Sequence, residues 1–265
     1  MIVAVRGQLS RVLWPLGALL AMGIAWEAWV GLGGASGYSM ASASETLDAA
    51  LSNRDAFASA AGVTVKEMLL GLGASVAIGL VLALLIDASE RLGRMLYPYL
   101  IATQVVPSIA FAPIIVIWLG YGLLPKVVIV TLFGVFVIIV EALVGLRSVA
   151  EDKIYLARSM GASRLSVFLR IRLPSALPSI FTGLKLAATL CLIGAVIAEF
   201  VGSDSGLGYV ILKAQSDSDT AVLLAAVMWL AAMGTLAFYL VVLAERIAIP
   251  WHVAATRRQA MRGDS

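Results

Sequence analysis

Residues 155–174 read YLARSMGASRLSVFLRIRLP and form a polar, arginine-rich segment between long apolar segments. The residues up to Met160 suit a short helix, and Gly161 can adopt the left-handed conformation that ends it. Ser163 can cap a second short helix, and Pro174 is predicted to stop or redirect the chain after it. We therefore expect residues 155–174, called the elbow below, to form two short helices joined by a tight turn.

The composition around the elbow is that of a protein embedded in a membrane. Of the 265 residues, 61% are hydrophobic and only 13% are charged, whereas about 25% of residues are charged in soluble domains. Apolar runs of about 20 residues, the length that crosses a bilayer, occur in six places. They cover residues 12–32, 63–86, 96–119, 127–146, 179–201 and 221–244. The sequence predicts an all-α membrane protein with six transmembrane helices.

The distribution of Lys and Arg predicts the orientation of these helices. With the N-terminus inside, most of the 19 Lys and Arg residues fall on the cytoplasmic side, as the positive-inside rule requires. Both termini are then cytoplasmic. The first apolar run is longer than the core of a secretory signal, which spans about 7–15 residues. The net charge of +3 does not indicate nucleic-acid binding, because the basic residues are dispersed over several loops.

The spacing within the elbow resembles the cytoplasmic coupling loop of bacterial ABC importer permeases. That family's pattern reads Glu-Ala-Ala, three residues, Gly, nine residues, Ile, one residue, Leu-Pro. The chain has the second Ala, the Gly, the Ile and the Leu-Pro, and it departs from the pattern at the Glu and the first Ala. The resemblance extends over roughly residues 64–251 and implies the type I ABC importer permease fold. The alternative is a basic loop placed only by membrane topology.

The resemblance implies that the elbow docks on an ATPase subunit. It assigns ATPase coupling to Tyr155, Leu156, Ala157, Arg158, Gly161, Ala162, Ser163, Ile171, Leu173 and Pro174. It also implies two ATPase copies, a second permease copy in a homodimer, an extracytoplasmic solute-binding protein and a place in the bacterial inner membrane. ATP and Mg²⁺ are expected on the partner ATPase, because the chain has no Gly-x-x-x-x-Gly-Lys-Ser/Thr loop. No enzyme activity or metal site is expected from one His and one Cys.

These features divide the chain into three parts. Residues 1–62 are predicted to hold the first transmembrane helix and an outer loop with a short amphipathic helix. Residues 63–251 are predicted to form the core permease domain, with the coupling loop at about 148–175. Residues 252–265 are predicted to be a basic cytoplasmic tail that contacts anionic lipid headgroups.

The third apolar run contains prolines in a pattern that resembles the third span of the family. Pro107 and Pro113 are expected to interrupt this helix. The carbonyl groups that they free need partners from protein or from a water-filled cavity, so the run is expected to line the translocation path. Gln104 and Ser108 add polar groups to it. A structural kink without a role in transport is the alternative.

Residues 198–209, AEFVGSDSGLGY, resemble the outer end of the fifth span in the sulfonate, taurine and nitrate branch. A carboxylate at this depth is costly unless it is paired or hydrated, so Glu199 is expected at a gate or along the path. A water-solvated interfacial Glu199 is the alternative. Glu141 is expected to face the inner vestibule or to pair with Arg147, and Lys185 to snorkel or to attract an anion. The full set expected at the path or gate is Gln104, Pro107, Ser108, Pro113, Glu141 and Glu199.

The sequence thus predicts the permease subunit of an ATP-driven importer. The family resemblance implies a small solute, such as a sulfonate, a nitrate-like anion or a heterocyclic vitamin precursor. The alternative function is a secondary transporter or channel driven by an ion gradient, in which Glu199 and Glu141 would take part through protonation. The elbow favours the first function, because such a transporter has no use for an ATPase-docking loop.

Overall fold

The computed structural model describes residues 2–33, 40–105 and 107–251, and within these ranges it contains helices and no strand. The predicted tail, residues 252–265, lies outside the described residues. The helices are α1 Ile2–Gly31, α2 Ala43–Ser52, α3 Arg54–Ala88, α4 Glu90–Val105, α5 Ala112–Leu119, α6 Leu123–Leu146, α7 Glu151–Ser159, α8 Arg164–Val167, α9 Leu173–Gly202, α10 Leu207–Ser216 and α11 Thr220–Ala248. A 3₁₀ turn, Ser108–Phe111, precedes α5, and a π-helical turn, Phe168–Arg172, joins α8 to α9.

Four helical segments in the described ranges are long and apolar enough to cross a membrane. They are α3, α6, the continuous helical segment from Arg164 to Gly202, and α11. Four of the predicted runs, at residues 63–86, 127–146, 179–201 and 221–244, lie on these segments. The first predicted run lies on α1.

The third predicted run is not a single helix. The α4 helix ends at Val105, and Ser108–Phe111 forms the 3₁₀ turn from which α5 continues. Pro107 lies directly before this turn, and Pro113 lies in the first turn of α5. A proline has no N–H to donate and therefore fits best at the start of a helix. The predicted interruption by prolines is confirmed.

The outer segment contains one predicted helix and one unexpected helical extension. The predicted short helix is α2, and Ser42 and Glu45 form a capping box at its N-terminus. The expectation of a loop up to residue 62 is wrong, because α3 already begins at Arg54. Asp55 lies in the first turn of α3, where a negative charge favours the helix. The alanine-rich residues that follow are also good helix formers.

The centre of the fold is α6, which packs along α9 and α3. Small residues allow this close approach, as is common between helices in membranes. A Cβ atom on Gly134 of α6 would lie 2.7 Å from the sulfur of Cys191 on α9. A Cβ atom on Gly145 would lie 2.7 Å from the carbonyl oxygen of Ala176. Cys191 is fully buried at this contact.

Candidate functional site

The elbow has the local structure that its sequence predicts up to Ser163. The α7 helix carries Glu151 and Asp152 in its first turn and Arg158 in its last turn, a distribution that complements the helix dipole. Gly161 then adopts a φ of 88°, in the left-handed region that favours glycine. The Ser163 hydroxyl accepts a hydrogen bond of 3.2 Å from the backbone N–H of Ser166 and so caps α8.

The prediction that Pro174 stops or redirects the chain is wrong. The helical segment that starts at Arg164 runs through the π-helical turn and α9 to Gly202. Pro174 lies in the first turn of α9. The preceding π-helical turn already departs from the regular hydrogen-bond pattern, so a residue without an N–H is tolerated there. The second arm of the elbow is therefore continuous with the predicted fifth span.

The elbow exposes several large apolar side chains. Tyr155 is 77% exposed and Met160 81% exposed, and α7 has no buried side chain. Leu156, Leu165 and Leu169 are also exposed. Clustered exposed apolar residues indicate a contact surface. Of the predicted coupling residues, Tyr155, Leu156, Arg158, Gly161 and Ser163 are exposed, whereas Ala157, Ala162, Ile171, Leu173 and Pro174 are partly buried.

A charge cluster, called the inner charge cluster because it lies at the elbow end of the helices, is formed where the elbow joins them. It consists of Asp87 on α3, Arg147 at the end of α6, Arg172 before α9 and the carbonyl group of Leu146. The Arg172 guanidinium donates to Asp87 Oδ1 at 2.8 Å and to the Leu146 oxygen at 3.0 and 3.2 Å. The Arg147 Nε lies 3.9 Å from the same Asp87 oxygen. The predicted pairing of Arg147 with Glu141 is therefore wrong.

Two other predicted charged residues also lie between helices. Glu141 is partly buried on α6 and faces α9, where a Cβ atom on Gly183 would lie 2.8 Å from the Glu141 Cβ. Lys185 on α9 forms an ion pair of 2.6 Å with Glu245 on α11. The expectation that Lys185 snorkels or attracts an anion stays a prediction, because this ion pair excludes neither. Sequence reasoning did not identify Glu245 as the partner.

Glu199 is fully buried within the chain. Its Oε1 accepts a hydrogen bond of 2.7 Å from the Thr64 hydroxyl, and its Oε2 accepts one of 2.5 Å from the Gly208 N–H. The Leu207 N–H donates to the Thr64 oxygen at 3.0 Å. The alternative of a water-solvated Glu199 is therefore wrong. The Glu199 carboxyl instead fixes the N-terminus of α10 to α9 and α3.

Glu199 belongs to a cluster with Thr64, Glu67, Lys126 and Ser203, called the outer polar cluster because it lies at the end of α9 opposite the elbow. The Lys126 ammonium donates to Glu67 Oε1 at 2.7 Å and to the Ser203 hydroxyl at 2.6 Å. The side chains of Glu67 and Lys126 are only 2% and 9% exposed. The cluster thus joins α3, α6 and α9 by buried charges, which are expensive to separate.

Two glycines make room for the Glu199 carboxyl. Gly206 has a φ of 102°, and a Cβ atom on it would overlap the carboxylate. A Cβ atom on Gly208 would lie 2.8 Å from Glu199 Oε2. The glycines let the N-terminus of α10 approach Glu199, where its N–H groups and helix dipole favour a negative charge. Sequence analysis did not predict α10, although Leu207, Ile211 and Ala214 recur at helical spacing.

Of the other predicted path residues, Pro107, Ser108 and Pro113 form no hydrogen bond with this cluster in the described part of the structure. Pro107 and Pro113 are exposed and Ser108 is partly buried. Within the described residues, no hydrogen bond joins Ser108 to Glu199 or Glu141. Gln104 lies on α4, and its side chain is outside the described part of the structure. In the same described part, no three His, Cys, Asp or Glu side chains form a group that could hold a metal ion.

Residues 75–250 match the family of binding-protein-dependent transport system inner membrane components. The chain belongs to this family. It is 37% identical over 188 residues to a formylaminopyrimidine transport permease protein of Halalkalibacterium halodurans. The aligned residues cover 71% of this chain and 75% of that protein. It is 31% identical over 189 residues to the taurine transport system permease protein of Escherichia coli, covering 71% of this chain and 69% of that protein.

The fold is also that of solved ABC importer permeases. A crystal structure of an amino acid ABC transporter aligns with a TM-score of 0.62 at 18% identity, over 74% of this chain and 95% of that chain. The protein is therefore an integral membrane permease subunit of an ABC importer in the sulfonate, taurine and nitrate branch. It is a transport subunit and not an enzyme, and the family implies an ATPase and a solute-binding protein as partners. This assignment replaces the alternative of an ion-gradient-driven transporter.

Proposed function

We propose that the chain forms the translocation path of an ATP-driven importer in the bacterial inner membrane. Two copies span the membrane with six helices each, and both termini are cytoplasmic. Two ATPase subunits, which bind ATP and Mg²⁺, dock on the elbows, and a solute-binding protein delivers the solute from outside. The observation that carries this proposal is the exposed apolar surface of the elbow on a chain of this family.

The elbow is suited to dock on the ATPase. Tyr155 and Met160 expose most of their apolar surface, and Arg158 and Arg164 on the same elbow are exposed cations. Aromatic residues, Met and Arg are enriched at protein interfaces. Tyr155 and Leu156, where the chain departs from the family pattern, add apolar contacts in place of a Glu contact.

The α9 helix can carry a displacement of the elbow across the membrane. It has 30 residues and is therefore about 45 Å long at about 1.5 Å per residue. Its inner end continues from the elbow, and its outer end carries Glu199 of the outer polar cluster. We propose that ATP binding closes the ATPases, moves the elbows and rocks α9. The outer polar cluster then acts as the gate, because it fixes α10 to α9 and α3.

We further propose a small heterocycle of the formylaminopyrimidine type as the solute. This proposal rests on the 37% identity to the formylaminopyrimidine permease. A sulfonate such as taurine is the second candidate, because the taurine permease is 31% identical over a similar length. Calorimetry with the cognate solute-binding protein distinguishes the two. Binding of neither compound would reject both candidates.

Tyr155 offers a direct test of ATPase docking. We expect Tyr155→Ala to reduce the amount of ATPase that co-purifies with the permease, because truncation of an interface aromatic residue costs about 2 kcal/mol or more at a hot spot. Tyr121→Ala is the matched control, since Tyr121 is 82% exposed in the turn between α5 and α6, away from the elbow. Equal ATPase recovery with both variants would argue against docking through the elbow.

A further inference from the structure

The α7 arm of the elbow has few structural ties to the rest of the chain, whereas the α8 arm has one buried side chain, Val167. The α7 helix buries no side chain, so its own packing does not fix it to the helices. The two connections of the elbow are the end of α6, at Leu146, and the start of α9, at Leu173. A mechanical load on α7 therefore reaches the helices through these two connections and through the packing of α8 around Val167.

Both connections converge on one carboxylate. Arg147 directly follows α6, Arg172 directly precedes α9, and both guanidinium groups approach Asp87 Oδ1 on α3. The Asp87 side chain is only 9% exposed and that of Arg172 is 24% exposed, whereas Arg147 is 60% exposed. Screening by water is therefore weakest for the pair of Asp87 and Arg172.

Arg172 also binds the end of α6. Its guanidinium donates two hydrogen bonds to the carbonyl oxygen of Leu146. This carbonyl is one of the last four of α6, which have no partner within the helix. A cation at this helix end is favoured by the helix dipole. One side chain thus holds the end of α6, the end of α3 and the start of α9 together.

The chain next to Arg172 is a point where a helix can bend. The π-helical turn Phe168–Arg172 interrupts the regular helix between α8 and α9. Such turns are associated with bends and functional sites in helices. Without a restraint at Arg172, displacement of the elbow could be absorbed by bending of this turn and would not reach α9.

We propose that Arg172 is a positioning residue that makes the elbow and the ends of α3, α6 and α9 move as one unit. Asp87 is its anchor on α3. This inference rests on the proposed docking of an ATPase on the elbow. It differs from docking itself, because Asp87 lies outside the elbow and the pair would act on the transmission of movement after the ATPase has bound.

The test uses the full complex of the permease with its ATPase in proteoliposomes. Three variants, Arg172→Gln, Asp87→Asn and the double variant, are compared with wild type and with the control Arg91→Gln, which removes an exposed charge from α4. ATPase co-purification measures docking on the elbow, and ATP hydrolysis measures the activity of the docked ATPase. An environment-sensitive fluorophore on Lys213→Cys, at the exposed end of α10, reports on the outer side when ATP and vanadate are added.

We expect both single variants to keep the ATPase and to hydrolyse ATP, while the outer fluorescence change falls at least about fivefold, the lower end of the range for coupling between sites. The fluorescence change of the double variant should be no smaller than that of the more impaired single variant, because the two residues act as one pair. Arg91→Gln should behave as wild type. An undiminished fluorescence change in Arg172→Gln, or strictly additive losses, would overturn the proposal.

Two further outcomes separate this inference from the proposed function. If Asp87→Asn and Arg172→Gln both lose the ATPase while wild type retains it, the pair serves assembly and the proposed transmission role is wrong. If the wild-type permease itself binds no ATPase, the proposed function fails, whatever the variants do.

Discussion

At Gly161, a single β-branched side chain should uncouple the elbow from the ATPase. The φ of 88° at Gly161 lies in the left-handed region, and no other atom lies within 4 Å of a Cβ placed on it. The cost of Gly161→Val is therefore conformational and not a clash with neighbours. It amounts to about 1–3 kcal/mol for a non-glycine residue held in such a region, and β-branched residues are at the upper end. At about 1.4 kcal/mol per factor of ten, the fraction of correctly turned elbows falls by about 5- to 150-fold.

The assay measures ATPase co-purification and hydrolysis stimulated by the loaded binding protein. Gly161→Asn is the matched control, because Asn tolerates the left-handed conformation far better than Val does. We expect Gly161→Val to lose both signals and Gly161→Asn to retain most of them. Full retention of both signals by Gly161→Val would refute the role of this turn in docking.

Three further predictions concern the outer polar cluster. Glu199→Gln should assemble but show altered coupling of hydrolysis to the loaded binding protein, because Gln has one acceptor oxygen for the two donors, Thr64 and Gly208, and its NH2 group must face one of them. Glu199→Ala should be worse, and wild-type transport by both variants would exclude a gate role. Gly208→Ala should impair transport, because the added Cβ would lie 2.8 Å from Glu199 Oε2. The control Gly62→Ala should transport normally, because its added Cβ would meet no neighbouring side chain within 4 Å, and equal transport rates of the two variants would contradict the close approach at Gly208. Lys126→Met should lower the thermal unfolding temperature of the purified subunit, because leaving the buried Glu67 carboxylate unpaired costs about 3–5 kcal/mol. An unchanged unfolding temperature would argue against the buried pair of Lys126 and Glu67.

The sequence predicts those parts of the fold that depend on neighbouring residues. The turn at Gly161 and the cap at Ser163 follow from the conformations that these residue types prefer. The same local rules failed at Pro174, because they allow a proline either to end a helix or to stand in its first turn. At Pro174 the residues that follow continue the helix as α9, so the proline stands in its first turn.

The partners of the buried charges could not be predicted from local sequence. Asp87 and Arg172 are 85 positions apart, and Thr64 and Glu199 are 135 positions apart. Glu199 was recognised as a costly carboxylate by its depth in the fifth span. Its partners became evident only when the structure brought α3 and α10 to it.

The most direct test of the account is reconstituted transport. The permease, its ATPase and the loaded binding protein are placed in proteoliposomes, and uptake of the solute selected by calorimetry is measured with and without ATP. We expect uptake that requires ATP and that disappears when the phosphate-binding lysine of the ATPase is replaced. Uptake by the permease alone, driven by a proton gradient without the ATPase, would contradict it.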